Sequence, residues 1–294
     1  MKTIVITGST GFIGSALVGS LKKKHNLVLL IKDKRDTRKS KPTFNKNISY
    51  KYFKDNKQLN NTLKKIKADW LIHCATHYVK KHQPDDLVKL VNSNIEFGTI
   101  LLDNLNIMGI KNFINFSTIW ENYNGIKDNP HNLYSASKQA FEKIINYYQI
   151  NNKNINFFNL IISDTYGFHD KRGKIISVLK KNIIQKKETI IVSKNLFLNL
   201  INIDDIVSGV FILLNKKINP GKYSMINKKF FNISSLINKI EEKIEIKIKW
   251  SSSRIIKEKI YNYKTLPHWK AKNSEMNNLV NFILKDEKLD LLNE

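Results

Sequence analysis

Hydrophobic and polar positions alternate in blocks along the first half of the chain. Short apolar runs rich in Ile, Leu and Val stand at Lys2–Thr7, Asn26–Ile31, Ile48–Phe53, Trp70–Cys74, Asn112–Phe116 and Ile155–Ile161. Between them lie longer stretches, Gly11–Lys24, Gln58–Ile66, Pro84–Met108 and Pro130–Tyr148, whose apolar residues recur at three- and four-residue steps. The short runs are predicted as buried strands and the longer ones as helices with one apolar face. Strands that alternate with helices predict right-handed crossovers and a mainly parallel sheet. Beyond Asp164 the pattern loosens, with helices predicted near Ile175–Lys187, Asp204–Asn215, Ser234–Glu242 and Ser274–Leu284 among short strand-like pieces. The expected fold is therefore α/β: a doubly wound parallel sheet over residues 1–163 and a smaller C-terminal lobe over 164–294. Some segments of that lobe are expected to return to the first domain.

The connection from the first strand to the first helix reads TGSTGFIG, Thr7 to Gly14. A glycine-rich turn in this place lets backbone N–H groups approach a phosphate, with the positive end of a helix behind them. Gly8 suits the tight turn, Gly11 the approach of a pyrophosphate, and Gly14 the packing of helix on strand. Strand before and helix after favour a dinucleotide site over an ordinary glycine-rich turn.

Composition narrows the class. Apolar residues make up 41% of the 294 positions, enough for a full core. No apolar run approaches the roughly 20 residues of a membrane span, and the first strand begins at Lys2, so a cytoplasmic protein with no membrane partner is expected. The single cysteine, Cys74, excludes an intrachain disulfide and a cysteine-based zinc site. The formal charge of +25 favours anionic ligands. Its lysines are spread along the chain among asparagines, as in NNTLKKIKAD, with no nucleic-acid-binding motif beside them. A compositional bias explains them better than a nucleic-acid partner. His73, His77 and His82 do not share the helical face that paired histidine ligation requires, so no metal is expected.

The chemistry concentrates in FINFSTIWENYNGIKDNPHNLYSASKQAFEKI, Phe113 to Ile144. Tyr134 and Lys138 are four apart in a predicted helix and share one face. A phenol is a poor acid or base at neutral pH, and a neighbouring ammonium lowers its pKa toward usefulness. Ser117 and Thr118 end the preceding strand, where a hydroxyl could bond the oxygen of a reacting carbon.

Taken together, these segments resemble the extended short-chain dehydrogenase/reductases, the NAD(P)-dependent nucleotide-sugar epimerases, dehydratases and ketoreductases. TGSTGFIG matches the family's T-G-x-x-G-x-x-G, and Tyr134-Ser-Ala-Ser-Lys138 its Y-x-x-x-K. DWLIHCAT, VNSNIEFGT with Asn94, DTYG, INIDDIV and LPHW follow in the family's order, so the resemblance covers nearly the whole chain. It implies a Rossmann-type domain and a substrate-binding lobe. It also implies catalysis by Thr118, Tyr134 and Lys138, with Tyr134 moving the proton, Lys138 lowering its pKa and Thr118 orienting the sugar oxygen. The cofactor would lie against Gly8, Thr10, Gly11, Phe12, Ile13, Gly14, Lys32, Arg35, Cys74, Ala75, Thr76, Asn94, Tyr134 and Lys138. The substrate would meet Thr76, Thr118, Trp120, Tyr134, Asp164 and Arg172. Relatives often dimerise through two long helices, here Pro84–Met108 and Pro130–Tyr148, which implies a homodimer.

Departures from the family pattern sort the possible reactions. Ile119 and Trp120 follow Thr118 where dehydratases carry an Asp-Glu pair, and Cys74 lies in the cofactor strand, away from any 3,5-epimerase role. Ketoreduction or C4 epimerisation remains. The STIWENY run and DTYG resemble the branch of CDP-abequose and CDP-paratose synthases, which reduce a 4-keto deoxyhexose. At the end of the second strand Ile31 or Lys32 stands where NAD-preferring relatives place an acid, with Lys34, Arg35 and Arg38 beyond. That favours NADP(H), with NAD(H) the alternative. A non-catalytic dinucleotide-binding sensor or scaffold is the competing class, against which the intact Thr118, Tyr134 and Lys138 speak.

Overall fold

A computed structural model describes residues 1–32 and 45–285, and the chain divides into two units. The first is built from Met1–Ile161, Asn215–Ser224 and Ile260–Lys264. The second holds Ile162–Leu214, Met225–Lys259 and the chain from Thr265 onward.

The first unit is a Rossmann-like parallel sheet flanked by helices. Its strands are β1 (Thr3–Thr7), β2 (Asn26–Ile31), β3 (Ile48–Tyr52), β4 (Trp70–His73), β5 (Asn112–Thr118) and β6 (Asn156–Ile162). A late strand, Gly221–Met225, completes a seven-stranded sheet beside β6, in the order β3-β2-β1-β4-β5-β6 from the other edge. β1 pairs in parallel with β2 on one side and β4 on the other, which places Val5 opposite both Val28 and Leu71. The chain thus winds outward from β1 in one direction, then returns to wind in the other. Where the directions part, the carboxyl ends of β1 and β4 leave a crevice in which such sheets bind ligands.

Helices α1 (Phe12–Leu21), α2 (Asn56–Leu63), α3 (Asp86–Val91), α4 (Phe97–Asp103) and α5 (Leu133–Asn151) supply the crossovers. Val5, Leu71, Phe113 and Phe157 of the sheet form one buried cluster with Leu101, Phe141 and Ile145 of the helices. The predicted Pro84–Met108 helix is instead two α-helical pieces joined by a wider π-helical turn, Asn92–Glu96. Asn94 sits inside that turn and is fully buried. Such turns cost backbone regularity and are frequent at functional sites. At Gly98 the crossing with α5 is so close that a Cβ would lie 2.3 Å from the Phe141 ring.

The second unit contains α6 (Ile175–Ile184), α7 (Ile203–Asn215), α8 (Ile233–Glu241) and α9 (Met276–Leu284). Leu179, Leu236, Ile240, Leu279 and Ile283 give it a core of its own. Asp205, at the start of α7, accepts the backbone N–H groups of Lys272 and Asn273, both at 3.0 Å, and the Ser274 hydroxyl. Its own carbonyl accepts the Trp269 indole at 2.8 Å. INIDDIV and LPHW are thereby joined as one piece of internal scaffolding.

Candidate active site

The turn after β1 is shaped by two glycines that admit no side chain. Gly8 has φ +66°, and a Cβ there would lie 2.5 Å from the Ala75 nitrogen beyond β4. A Cβ on Gly14 would lie 2.1 Å from the Gly8 carbonyl oxygen. Gly11 donates its N–H to that same carbonyl at 2.9 Å, and a Cβ on it would meet that oxygen at 3.2 Å. As N-cap of α1, Gly11 carries no side-chain cap, and the first turn contains no acidic residue. The positive end of the helix thus opens beside the exposed Thr10 without an internal anion. Phe12 and Ile13, partly exposed, begin the helix. This end therefore fits the pyrophosphate of a dinucleotide.

Across the crevice, β4 ends in residues tied back to β1. The Thr7 hydroxyl lies 2.8 Å from His73 Nδ1 and accepts the Ala75 N–H at 3.3 Å. His73 is buried among Phe97, Phe113 and Phe141. Burial, and secondarily the positive charge of Lys138, pulls its pKa down to about 3, so it is a neutral core residue. Burial pushes the neighbouring Cys74 thiol up to about 12, which removes it from nucleophilic chemistry. Among the described residues no group of three or more His, Cys, Asp or Glu could hold a metal ion.

The loop after β4 is pinned by Asn94. Its carboxamide oxygen accepts the Thr76 hydroxyl at 2.9 Å and the His77 N–H at 2.7 Å. Its nitrogen donates to the His77 carbonyl at 3.0 Å and to Ser137 Oγ at 2.9 Å. With every polar atom engaged by protein groups, Asn94 ties the Thr76 loop to α5.

Helix α5 starts where Asn132 and Ser135 form a reciprocal capping box, which fixes the first turn that carries Tyr134. The Tyr134 ring meets Tyr78 edge to face, with centroids 5.0 Å apart, and Tyr78 lies 6.4 Å from Trp120. One turn on, Lys138 is buried, and its ammonium donates to Asn115 Oδ1 of β5 at 3.4 Å. Burial lowers its pKa, while Glu121 and then Cys74 oppose that shift. Asn115 Nδ2 in turn donates to Asn159 Oδ1 at 2.7 Å. A polar residue inside an apolar strand was a legible signal of the Lys138 partner, but FINFST does not say what Asn115 faces.

Thr118 is partly exposed at the end of β5, and its hydroxyl accepts the Trp120 N–H at 3.3 Å. Ser117 is buried, and its hydroxyl has no protein partner. The two alternate across the strand, so only one can serve a given face. After Thr118 the chain makes tight turns over Ile119–Gly125, bent at Asn122–Asn124, with Asn124 at φ +55°. This bend carries Glu121 inward. Glu121 has no exposed surface, and its Oε2 lies 3.4 Å from Lys222 Nζ on the late Gly221–Met225 strand. Lys222 in turn lies 2.6 Å from Glu142 of α5. Burial raises the Glu121 pKa, and Lys222 opposes the rise.

The remaining expected residues stand on other elements. Lys32 is exposed at the end of β2, and Arg35 lies outside the described residues. Asp164 and Arg172 belong to the second unit. There Asp164 pairs with Lys174. Arg172 grips the Asp170 carboxylate with Nε at 2.7 Å and Nη2 at 2.8 Å, and Nη2 also bonds the Thr165 carbonyl at 2.8 Å.

A model of the NAD dependent epimerase/dehydratase family matches residues 4–227. The chain belongs to that family. It is 30% identical over 217 residues to a CDP-abequose synthase of Yersinia pseudotuberculosis, spanning 72% of this chain and 73% of that protein. It is also 30% identical over 248 residues to a dTDP-D-glucose 4,6-dehydratase of Dictyostelium discoideum, covering 74% of this chain and 56% of the relative. A solved UDP-glucuronic acid 4-epimerase variant of Bacillus cereus, in complex with NAD and a UDP-sugar, superposes with a TM-score of 0.79. That match covers 96% of this chain and 98% of the other at 20% identity, so it speaks for the fold.

Proposed function

We propose that the protein reduces the 4-keto group of a nucleotide-linked deoxyhexose, with Tyr134 as the proton donor. The observation that carries this reading is the pairing of Tyr134 with a buried Lys138 one helical turn away, in a chain similar to CDP-abequose synthases. In its charged form Lys138 lowers the acidity threshold of the Tyr134 phenol, and Thr118 would orient the sugar oxygen. Gly8, Thr10, Gly11, Phe12, Ile13 and Gly14 would receive the dinucleotide pyrophosphate; Cys74, Ala75 and Thr76 would border the cofactor from β4. When bound, a nicotinamide dinucleotide supplies a hydride to the carbon. Proton delivery from Tyr134 to the oxygen then completes the alcohol. Trp120, Asp164 and Arg172 are proposed substrate contacts.

The similarity to a dehydratase does not redirect this reading. Dehydration needs an acid and a base beside the Thr, and here Ile119 is buried and the Glu121 carboxylate is turned to Lys222 and Glu142. NADP(H) is proposed over NAD(H) because Ile31 ends β2 and Lys32, not an acid, follows it. Neighbours solved with NAD support the second reading, a C4 epimerase that keeps NAD bound. A homodimer through α3, α4 and α5 is also proposed. Leu87, Val88 and Val91 on α3 and Tyr147 and Ile150 on α5 are exposed apolar residues that such a contact would bury.

Incubation with CDP-, UDP-, GDP- and dTDP-linked 4-keto-6-deoxyhexoses and either reduced dinucleotide tests the proposal. Consumption of NADPH with formation of the deoxysugar is expected. Redox-neutral interconversion of C4 epimers by protein that purifies with NAD would replace reduction with epimerisation. Failure to turn over any of these sugars, with dinucleotide binding intact, would favour the sensor or scaffold.

A further inference from the structure

Tyr78 has no part in the chemistry above, yet the chain on both sides of it is tied down. It stands in the connection from β4 to α3. Just before it, the His77 N–H and carbonyl are both bonded to Asn94, at 2.7 and 3.0 Å, and the His77 ring lies 3.0 Å from Asp86 Oδ1. Two residues after it, the Lys80 carbonyl accepts Asn132 Nδ2 at 3.1 Å. Asn132 is also the N-cap of α5, where its Oδ1 accepts the Ser135 N–H at 2.9 Å. One side chain thus caps the helix that carries Tyr134 and fastens the loop that carries Tyr78.

The fastening brings the two rings together. Their centroids are 5.0 Å apart and their planes stand at 85°, the favourable edge-to-face arrangement of an aromatic pair. Tyr78 also neighbours Trp120, at 6.4 Å, and the row continues from Trp120 to His131 at 5.1 Å and from His131 to Tyr123 at 4.1 Å. Tyr78 and Tyr134 are both only partly exposed.

We propose that Tyr78 is a positioning residue that aims the Tyr134 phenol by packing edge to face against its ring. This rests on the role given to Tyr134 under the proposed function and adds a residue that acts through Tyr134 alone. The capping box fixes the backbone of the first turn of α5, but a tyrosine in a helix still chooses between two χ1 wells. Proton transfer tolerates little of that freedom. The donor oxygen must come within roughly 2.6–3.2 Å of its target, and a misplacement of about 1 Å can cost on the order of 100-fold. A ring held against one flank of Tyr134 favours one orientation over the other. The strength of an aromatic pair supports a preference of about 2- to 10-fold, which sets the size of the expected effect.

Steady-state kinetics with a nucleotide-linked 4-keto-6-deoxyhexose and reduced dinucleotide tests the inference. Tyr78→Leu removes the ring and keeps much of the bulk; kcat should fall about 2- to 10-fold, with the KM for the sugar and the dinucleotide affinity close to wild type. Tyr78→Phe keeps the ring and should retain wild-type turnover. In Tyr134→Phe there is no phenol to aim, so adding Tyr78→Leu should leave the residual turnover unchanged, whereas a merely structural loss would lower it again. Equal kcat in Tyr78→Leu and wild type would overturn the inference. So would a raised KM at unchanged kcat, which would make Tyr78 a substrate contact.

Fluorine NMR of protein labelled with 3-fluorotyrosine reads the ring without turnover, with the Tyr134 line assigned by its loss in Tyr134→Phe. In wild type and Tyr78→Phe that line should be displaced from free fluorotyrosine; in Tyr78→Leu it should move toward the free value and sharpen. A Tyr134 line unmoved by Tyr78→Leu overturns the inference. If the line moves as described but no keto sugar is turned over, the functional reading fails while the hold of Tyr78 on Tyr134 stands. Should Tyr78→Leu not fold, Tyr78→Met, unbranched and without a ring, takes its place in both measurements.

Discussion

Asn94 Nδ2 donates to Ser137 Oγ across 2.9 Å, tying the irregular turn of the central helix to the residue just before Lys138. Asn94→Ala would leave the Ser137 hydroxyl and the His77 N–H and carbonyl without this partner. A stability loss of about 1–3 kcal/mol is expected, the usual cost of stranding buried polar groups. Urea unfolding measures it, and dinucleotide affinity should fall with it because the Thr76 loop loses its anchor.

Tyr134→Phe should leave dinucleotide affinity close to wild type and lower turnover at least ~100-fold, the scale of a lost positioned acid. Lys138→Ala should impair both turnover and affinity. Steady-state kinetics beside a binding titration separates the two; equal turnover in Tyr134→Phe would remove that residue from the proton transfer.

The glycines divide into two kinds. Gly14→Ala would drive a Cβ into the Gly8 carbonyl at 2.1 Å, so loss of dinucleotide binding, or of folded protein, is expected. Gly19 is also in α1, but a Cβ there meets nothing within 4 Å. Gly19→Ala should therefore stabilise by up to ~1 kcal/mol through helix propensity, read as a higher midpoint in thermal unfolding.

His73 makes stability depend on pH. Its native pKa, about 3, lies below the ordinary 6.5, so the unfolded chain binds the proton more readily. Stability from this residue is full above pH ~6.5 and is lost as pH falls toward the native value. The slope approaches about 1.4 kcal/mol per unit in that window. His73→Phe, which suits the surrounding rings, should flatten the dependence between pH 6 and 4 in denaturant titrations, whatever it does to absolute stability.

The proposed dimer predicts that Val88→Asp or Tyr147→Asp shifts the protein toward monomer in sedimentation velocity. Both positions are exposed, at 67% and 61%, so their substitution should leave the fold of the protomer intact. An unchanged sedimentation coefficient in both variants would place any self-association elsewhere.

The first six strands were legible because their determinants are local. Most are short apolar runs, and TGSTGFIG carries strand end, turn and helix start within eight residues. The seventh, Gly221–Met225, reads GKYSM and was not singled out. Tyr134 and Lys138 were legible for the same local reason, since four residues on a helix define a face. The π-helical turn at Asn94 was not, because a wider turn leaves the apolar spacing of Pro84–Met108 nearly unchanged. Nor could the partners of Glu121 be read. Lys222 is 101 residues away and Tyr263 meets Asn122 across 141, and no local periodicity encodes such pairings. Arg172 was singled out for a substrate, whereas its partner Asp170, only two residues away, was not read from the basic loop around it.

The late strand that carries Lys222 has a consequence for the order in which the protein comes into being. A ribosome delivers β1 to β6 and helix α5 long before Gly221–Met225 and Ile260–Lys264 exist. Until then the nascent sheet ends at β6 as an open edge, and Glu121 lacks its cation, Lys222. Nascent chains stalled before residue 220 should therefore be the ones that recruit chaperones or pair wrongly with one another.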